Sequence, residues 1–331
     1  AVHMGLRVNE WGVFRVPEGV DPDSLEKEGG ERLAGDTEEG VYEALGMAWT
    51  PPELRENRGE VEAALDRTLP RLVALGDIRG DLQMHSTWSD GKASLEEMAR
   101  ACLERGYEYF AITDHSQAMA MVGGLTPERA REQWAEVARV QERVPGVRIL
   151  RSAEVDILKD GSLDLPDEVL AELDLVVVSV HSFMDQDKAT MTERVLRAIR
   201  HPEVDILAHP TGRLLGRREP FAMDVEAALA AAAELDVAVE LNANPNRLDF
   251  SDVHVRRARE LGVKVVISTD AHAPRELANM RFGVEQARRG WLEPADVLNA
   301  LPLDAFERWL ARRRSATAAT PPAPSPGRSS R

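Results

Sequence analysis

Residues 174–181 read DLVVVSVH, an apolar, β-branched run that ends on a histidine. A run of that length with no polar alternation fits a strand buried on both faces of a parallel sheet. The same shape recurs along the chain: DLQMH (81–85), YFAITDH (109–115), VRILRSAEVD (147–156), DILAHP (205–210), VAVELNAN (237–244) and KVVISTDAH (264–272). Amphipathic stretches such as SLEEMARACLERG (94–106) and PERAREQWAEVARVQERV (127–144) fall between them. About seven βα units in series imply a parallel sheet, and closing it buries both faces of every strand, so a TIM-like (β/α)7 barrel is expected.

The polar residues sit where these runs end. His85 closes the first, Asp114 and His115 the second, His181 the fourth and His209 the fifth, with Glu154 in the third and Asp270 and His272 in the last. Parallel barrels build their sites on the C-terminal rim, which would gather residues scattered over the sequence into one cavity. His3, His201 and His254 lie away from strand ends and serve as internal controls, with no metal role expected.

Length and composition agree with a soluble, globular protein. The chain has 331 residues, 43% hydrophobic and 30% charged, enough for one large domain and a smaller one. No apolar run approaches the roughly 18 residues of a membrane span. The start carries no signal-peptide pattern, and a single cysteine, Cys102, forms no internal disulfide, so a cytoplasmic location is expected. A net charge of −16 argues against a broad basic face for duplex DNA, although bound divalent cations would offset part of it.

The ends of the chain differ from its middle. GLRVNEWGVFRV (5–16) alternates like a hairpin and is followed by a Gly- and Glu-rich stretch and TPPELREN (50–57). GEVEAALDRTLPRLVAL (59–75) has roughly helical spacing. The expected organisation is therefore a partial α+β segment over 1–57, a linker helix over 58–76, the barrel over 77–314 and a Pro-, Ser- and Ala-rich disordered tail over 315–331.

Taken together, DLQMHSTWSDG (81–91), AITDHS, SAEVDIL, VVSVHSF, ILAHPTGRLLGRR, ELNANPNRLD and ISTDAHAP resemble the polymerase and histidinol phosphatase (PHP) domain. The wording is closest to the version fused to bacterial family X DNA polymerases. The N-terminal segment resembles the end of that polymerase's thumb. The resemblance implies a C-terminal portion of a longer enzyme, with the polymerase core upstream as its partner.

The resemblance also implies a ligand set for three divalent ions, Mn²⁺ and/or Zn²⁺, with Mg²⁺ as an alternative. Gln83, His85, Glu154 and Asp270 would hold the first. Glu154 would bridge to a second, held also by His181 and His209, and Asp90, His115 and His272 would hold the third. Glu154, His181, His209 and Asp270 would carry the catalysis, a hydroxide bridging two ions attacking the phosphodiester. Gln83 is the departure, since the pattern opens His-x-His; its amide oxygen coordinates more weakly than imidazole and would loosen the first ion.

Arg213, Asn244, Arg247 and Trp88 are candidates for substrate contact, the arginines for phosphate and Trp88, like Phe183, for stacking on a base. The activity implied is a 3′→5′ exonuclease acting in repair on DNA 3′ ends, single-stranded or gapped. A small-molecule phosphomonoesterase of the histidinol-phosphatase type and a non-catalytic scaffold remain as alternatives.

Overall fold

The computed structural model describes residues 1–318 apart from 22, 23, 25, 27 and 28. The chain divides into two compact units between Arg71 and Leu72.

In the first unit, β1 (Leu6–Asn9) and β2 (Gly12–Arg15) form the expected antiparallel hairpin, and β3 (Glu31–Ala34) pairs antiparallel with β2. Gly12 has φ +133°, and a Cβ there would lie 2.1 Å from the Ala34 carbonyl oxygen, so only glycine fits where β2 meets β3. Two helices follow, α1 (Glu38–Ala44) and α2 (Glu60–Leu65). Thr37 caps α1 by accepting from the Gly40 N–H at 3.1 Å.

The linker helix expected over 58–76 is present only as α2. Asp66 closes it, Arg67 takes a left-handed φ of 56°, and Pro70 has no N–H with which to continue it. The division between the units falls inside the span assigned to that linker.

The second unit is the barrel. Its strands are β4 (Gly80–Asp81), β5 (Tyr109–Ile112), β6 (Arg148–Asp156), β7 (Leu175–Ser179), β8 (Ile206–Leu207), β9 (Ala238–Asn242) and β10 (Val265–Ser268). All seven are parallel and lie in sequence order, each bonded to the next. Every apolar run quoted above contributes one. The ladders of β4 and β8 are two residues long: β4 takes Asp81 of DLQMH with the preceding Gly80, and β8 takes Ile206 and Leu207 of DILAHP.

Closure between β10 and β4 is incomplete as a ladder. A single bridge, Met84 to Ala271, spans it, with the His85 N–H donating to Ala271 O at 2.9 Å and the Asp270 N–H to Gln83 O at 3.0 Å. At the opposite end of this seam the buried Asn299 amide stands in for the absent ladder. Its Nδ2 donates to Gly80 O and Ile267 O at 2.7 Å each, and its Oδ1 accepts from the Ile267 N–H at 3.0 Å.

The barrel helices are α3 (Leu95–Glu104), α4 (Pro127–Arg143), α5 (Asp167–Leu170), α6 (Lys188–Ile199), α7 (Val225–Leu235), α8 (Asp252–Glu260), α9 (Met280–Arg289) and α10 (Leu303–Ala318). Alternate strand residues face these helices or the barrel interior. Inside, Leu82, Tyr109, Leu150, Val177 and Val266 pack with Phe306, Trp309 and Leu310 of α10. That helix plugs the N-terminal end, where the buried Arg313 donates from Nε to Asp205 Oδ1 at 2.8 Å and from Nη2 to Pro202 O at 2.9 Å. The plug leaves the C-terminal rim as the open end.

Helix α10 runs through Ala318 rather than stopping at Arg314, since no proline interrupts the chain before Pro321. The rest of the expected tail, 319–331, lies outside the described residues. Among the described residues no helix is long and apolar enough to cross a membrane.

Candidate metal centre

Glu154 is the hub of the rim. It sits on β6 at 1% exposure, so its carboxylate has little water to turn to and must be met by the protein or by a ligand. Oε1 lies 2.8 Å from His209 Nε2 and 3.4 Å from His181 Nε2, and Oε2 lies 3.3 Å from His115 Nδ1 and 3.5 Å from His85 Nε2. Strands β6, β7 and β8 and the ends of β4 and β5 thus aim their polar residues at one point.

Two further carboxylates complete the ring. Asp90 Oδ2 is 3.3 Å from His272 Nε2 and 3.6 Å from His115 Nε2, and its Oδ1 is 3.7 Å from His85 Nδ1. Asp270 Oδ1 is 3.1 Å from His85 Nε2. The His85 ring is stacked between His115 and His272, with centroids 4.6 and 4.3 Å away. His85, Asp90, His115 and His272 each bring one ligand atom within 4.8 Å of the others, and so do His115, Glu154 and His181.

The residues predicted for the third ion therefore gather as a set, joined by His85. His115 stands between the two groups, where the expected partition placed it in one.

Electrostatics follow from crowding acids and imidazoles out of water. Burial works to raise the Asp90 carboxyl, but hydrogen bonds from His115 and His272 outweigh it and hold it well below the usual carboxylate range. Burial opposes charge on His115 and His272, yet the Glu154 charge with the Asp90 hydrogen bond, and the Asp90 hydrogen bond with the Asp270 charge, push them up to about 9. His209 moves down, through burial and the Arg247 charge. Without a metal, the imidazolium protons supply the positive charge that the carboxylates require, and a divalent cation would displace them.

Buried polar atoms give an independent test of whether cations fit. Both amide atoms of Gln83, which is 1% exposed, have no hydrogen-bond partner among the described residues, and neither does His85 Nδ1, which faces Asp90 Oδ1 at 3.7 Å. Each such group costs about 1–3 kcal/mol when left unmet, so these three beside the carboxylates are anomalous unless a ligand meets them. Carboxylate, imidazole and amide donors suit divalent ions, and the site fits them.

Supporting residues orient the ring. Asp156 Oδ1 lies 2.9 Å from His181 Nδ1, leaving Nε2 to face Glu154. Glu240 Oε2 accepts from the His209 N–H at 2.6 Å, and Asn242 Nδ2 donates to Asp270 Oδ2 at 3.1 Å. Burial, reinforced by the Asp270 charge, keeps Glu240 well above the usual carboxylate range. The loop bearing Asp90 is held by Asp114, which accepts from Ser86 N–H and Oγ, Ser89 Oγ and Gln133 Nε2. Gly91 closes that loop; a Cβ there would meet the His85 carbonyl at 2.6 Å.

Asp156 and Glu240 were missed by sequence reasoning. Their signal was the period of two along a strand: Asp156 shares a face with Glu154, and Glu240 shares one with Asn242.

The substrate candidates divide. Arg247 is at the site, its Nε 3.4 Å from Asp270 Oδ2, with Nη1 buried and without a partner among the described residues. Arg213 is instead turned into the loop, donating from Nε to Arg247 O at 3.0 Å and from Nη2 to Leu248 O, so its donors buttress main chain. Asn244 makes a local turn, accepting from the Asn246 N–H at 3.0 Å. Trp88 donates to Glu136 Oε2 at 2.9 Å and carries the Arg129 guanidinium over its ring at 5.7 Å, the environment of a packing residue. Among the controls, His3 is exposed and His201 pairs with Asp167 at 3.3 Å. His254 is half-buried against Phe250 at 5.1 Å between centroids, and burial lowers its pKa.

Comparison with known proteins fits this geometry. Residues 1–56 match the family model described as DNA polymerase beta thumb, and residues 81–244 match the PHP domain. The chain is 44% identical over 312 residues to the Bacillus subtilis DNA polymerase/3′-5′ exonuclease PolX, covering 94% of this chain and 52% of that protein. It thus spans about half the length of that relative. A probable phosphatase of Edwardsiella ictaluri is 31% identical over 243 residues, 69% of this chain and 94% of that protein. A solved histidinol phosphate phosphatase of Lactococcus lactis superposes with a TM-score of 0.45 at 17% identity, over 63% of this chain and 93% of that one. With a thumb match ahead of a PHP match and a rim of acids and imidazoles, the chain belongs to the PHP family, in the thumb-linked form of the family X DNA polymerases.

Proposed function

We propose that this chain is a metal-dependent phosphodiesterase that shortens DNA from its 3′ end, in the service of a polymerase core carried by the same full-length protein in the cytoplasm. The observation that carries it is Glu154, a buried carboxylate with four imidazoles within 3.5 Å of its two oxygens. The 3′→5′ direction and the DNA substrate draw on the name of the Bacillus subtilis relative and on the thumb match.

Gln83, His85, Glu154 and Asp270 would hold one ion, Glu154, His181 and His209 a second, and Asp90, His115 and His272 a third. Mn²⁺ or Zn²⁺ suits this donor set, and Mg²⁺ is the harder alternative. Divalent cations held there would supply a water of lowered pKa and a positive field on the phosphoryl oxygens.

The chain's own residues do the rest. Asp156 fixes the His181 tautomer so that Nε2 points into the site. Asn242 and Arg247 hold the outer oxygen of Asp270, which leaves Oδ1 toward His85. Arg247 Nη1, buried and without a partner among the described residues, would donate to a phosphate oxygen that reached it.

The test is a nuclease assay on 5′-labelled single-stranded and gapped DNA with Mn²⁺, run beside glycerol phosphate as a base-free monoester. The expected result is a ladder of products shortened from the 3′ end, abolished by a chelator. Hydrolysis of the monoester alone would instead assign a small-molecule phosphatase, the activity in the names of several relatives.

A further inference from the structure

The rim carries one aromatic residue that packing does not explain. Phe183 is 53% exposed, the one aromatic among the exposed large apolar side chains described in the barrel unit. Its backbone adopts φ 50°, a left-handed conformation that a bulky side chain enters only when its surroundings hold it there.

Arg194 does the holding. This arginine of α6 is 2% exposed, and its guanidinium is spent on the main chain of two rim loops. Nη1 donates to Ser182 O at 2.9 Å and Phe183 O at 3.3 Å, while Nε donates to Leu158 O at 2.9 Å and Nη2 to Ile157 O. Gln186 ties the same loops, its Oε1 accepting from Arg194 at 3.0 Å and its Nε2 donating to Lys159 O at 3.2 Å. A buried cation thus holds the backbone carbonyl of a residue whose phenyl group is exposed.

Position supplies the reason. Phe183 lies two residues beyond His181, so its Cα is within roughly 7 Å of that of a residue facing Glu154. The Lys159 ammonium stands over the ring, 5.1 Å from its centroid. With Lys159 over one face and the side chain half exposed, the ring offers its other face and a neighbouring cation two residues from a phosphoryl site, which matches what a nucleotide presents: a flat base joined to a phosphate. Trp88 differs in exposure: it is partly buried against the barrel core and its indole N–H is bonded to Glu136.

We infer that Phe183 is the stacking platform for a nucleobase at the 3′ end of the strand being cut, with Arg194 as its positioning residue. The inference rests on the exonuclease reading above and adds to it the part of the substrate that is recognised.

The experiment compares parent, Phe183→Ala, Phe183→Leu and Phe183→Trp on a 5′-labelled single-stranded oligonucleotide, natural or abasic at its last two 3′ positions. Folding of each variant is checked by thermal melt. On the natural strand, Phe183→Ala and Phe183→Leu should raise KM about tenfold with a much smaller change in kcat, and Phe183→Trp should retain the parental KM. On the abasic strand the parent's advantage over Phe183→Ala should collapse. An equal loss for Phe183→Ala on both strands would make the ring a structural element and overturn the inference, as would an unchanged KM on the natural strand. If the parent hydrolyses glycerol phosphate but shortens neither strand, the exonuclease reading fails and takes the stacking role with it. That failure is read from the parent alone, so it is distinct from a failure of Phe183.

Discussion

His181 Nδ1 and Asp156 Oδ1 lie 2.9 Å apart, and both residues sit on the inner side of the rim. The carboxylate decides which ring nitrogen faces Glu154. Asp156→Ala should therefore weaken metal binding by about 10–100-fold while the number of ions at saturation stays the same. Metal titration by calorimetry reads both quantities. A loss of one whole ion would make Asp156 a ligand itself.

Gln83 gives opposite signs with and without metal. Its amide is buried with no partner among the described residues, so Gln83→Leu should stabilise the chelated protein by about 1–3 kcal/mol in urea unfolding. The same change should weaken metal binding, whereas Gln83→His should tighten it and shift preference toward Zn²⁺. If Gln83→Leu destabilises the chelated protein and leaves metal affinity alone, the amide has no role at the centre.

Glu154 and His254 form a contrasting pair. Glu154→Ala should remove more than one ion by elemental analysis and abolish hydrolysis, because its two oxygens face different imidazoles. His254→Ala should keep activity within a few-fold, while its half-buried ring against Phe250 makes a stability loss of about 1–2 kcal/mol the expected effect. Comparable activity losses at both positions would break the distinction between rim and helix histidines.

Asp81 makes stability depend on pH. Burial pushes its carboxyl up to about 7, against hydrogen bonds from the Thr269 hydroxyl and N–H. An unfolded aspartate titrates at about 3.9, so between those values the folded chain keeps a proton that the unfolded chain has lost. The stabilising contribution is whole below about 4 and is lost as pH rises to about 7. In chelator, the stability of the parent relative to Asp81→Asn should fall by roughly 1–4 kcal/mol across that window and level off above it. A parent-to-variant difference that is flat with pH would place the Asp81 pKa near its ordinary value.

The barrel was legible because parallel strands announce themselves twice, as apolar β-branched runs and as polar residues where the runs stop. Glu154, His181 and His209 could be placed on one rim for that reason, without any contact being known. Arg213 could not, since whether a loop arginine faces solvent or donates to Arg247 O and Leu248 O depends on a loop 34 residues away. His254 carried a helical period but no sign that Phe250 would cover it. The helix over Glu60–Leu65 shows the same limit, because roughly helical spacing ran past Arg67 while backbone conformation did not.

The seam between β4 and β10 gives the centre a second consequence. Gln83 and His85 stand on one lip of it and Asp270 and His272 on the other, with Met84 and Ala271 as the single strand bridge between them. Ions shared across those lips would act as a clasp on the stave joint that is closed without a regular ladder. Loading the site with Mn²⁺ should slow amide hydrogen exchange most at His85 and Asp270, whose N–H groups cross the seam, and least around Arg313 at the plugged end. Chelation would then unfasten the barrel along one line before it loosens anywhere else.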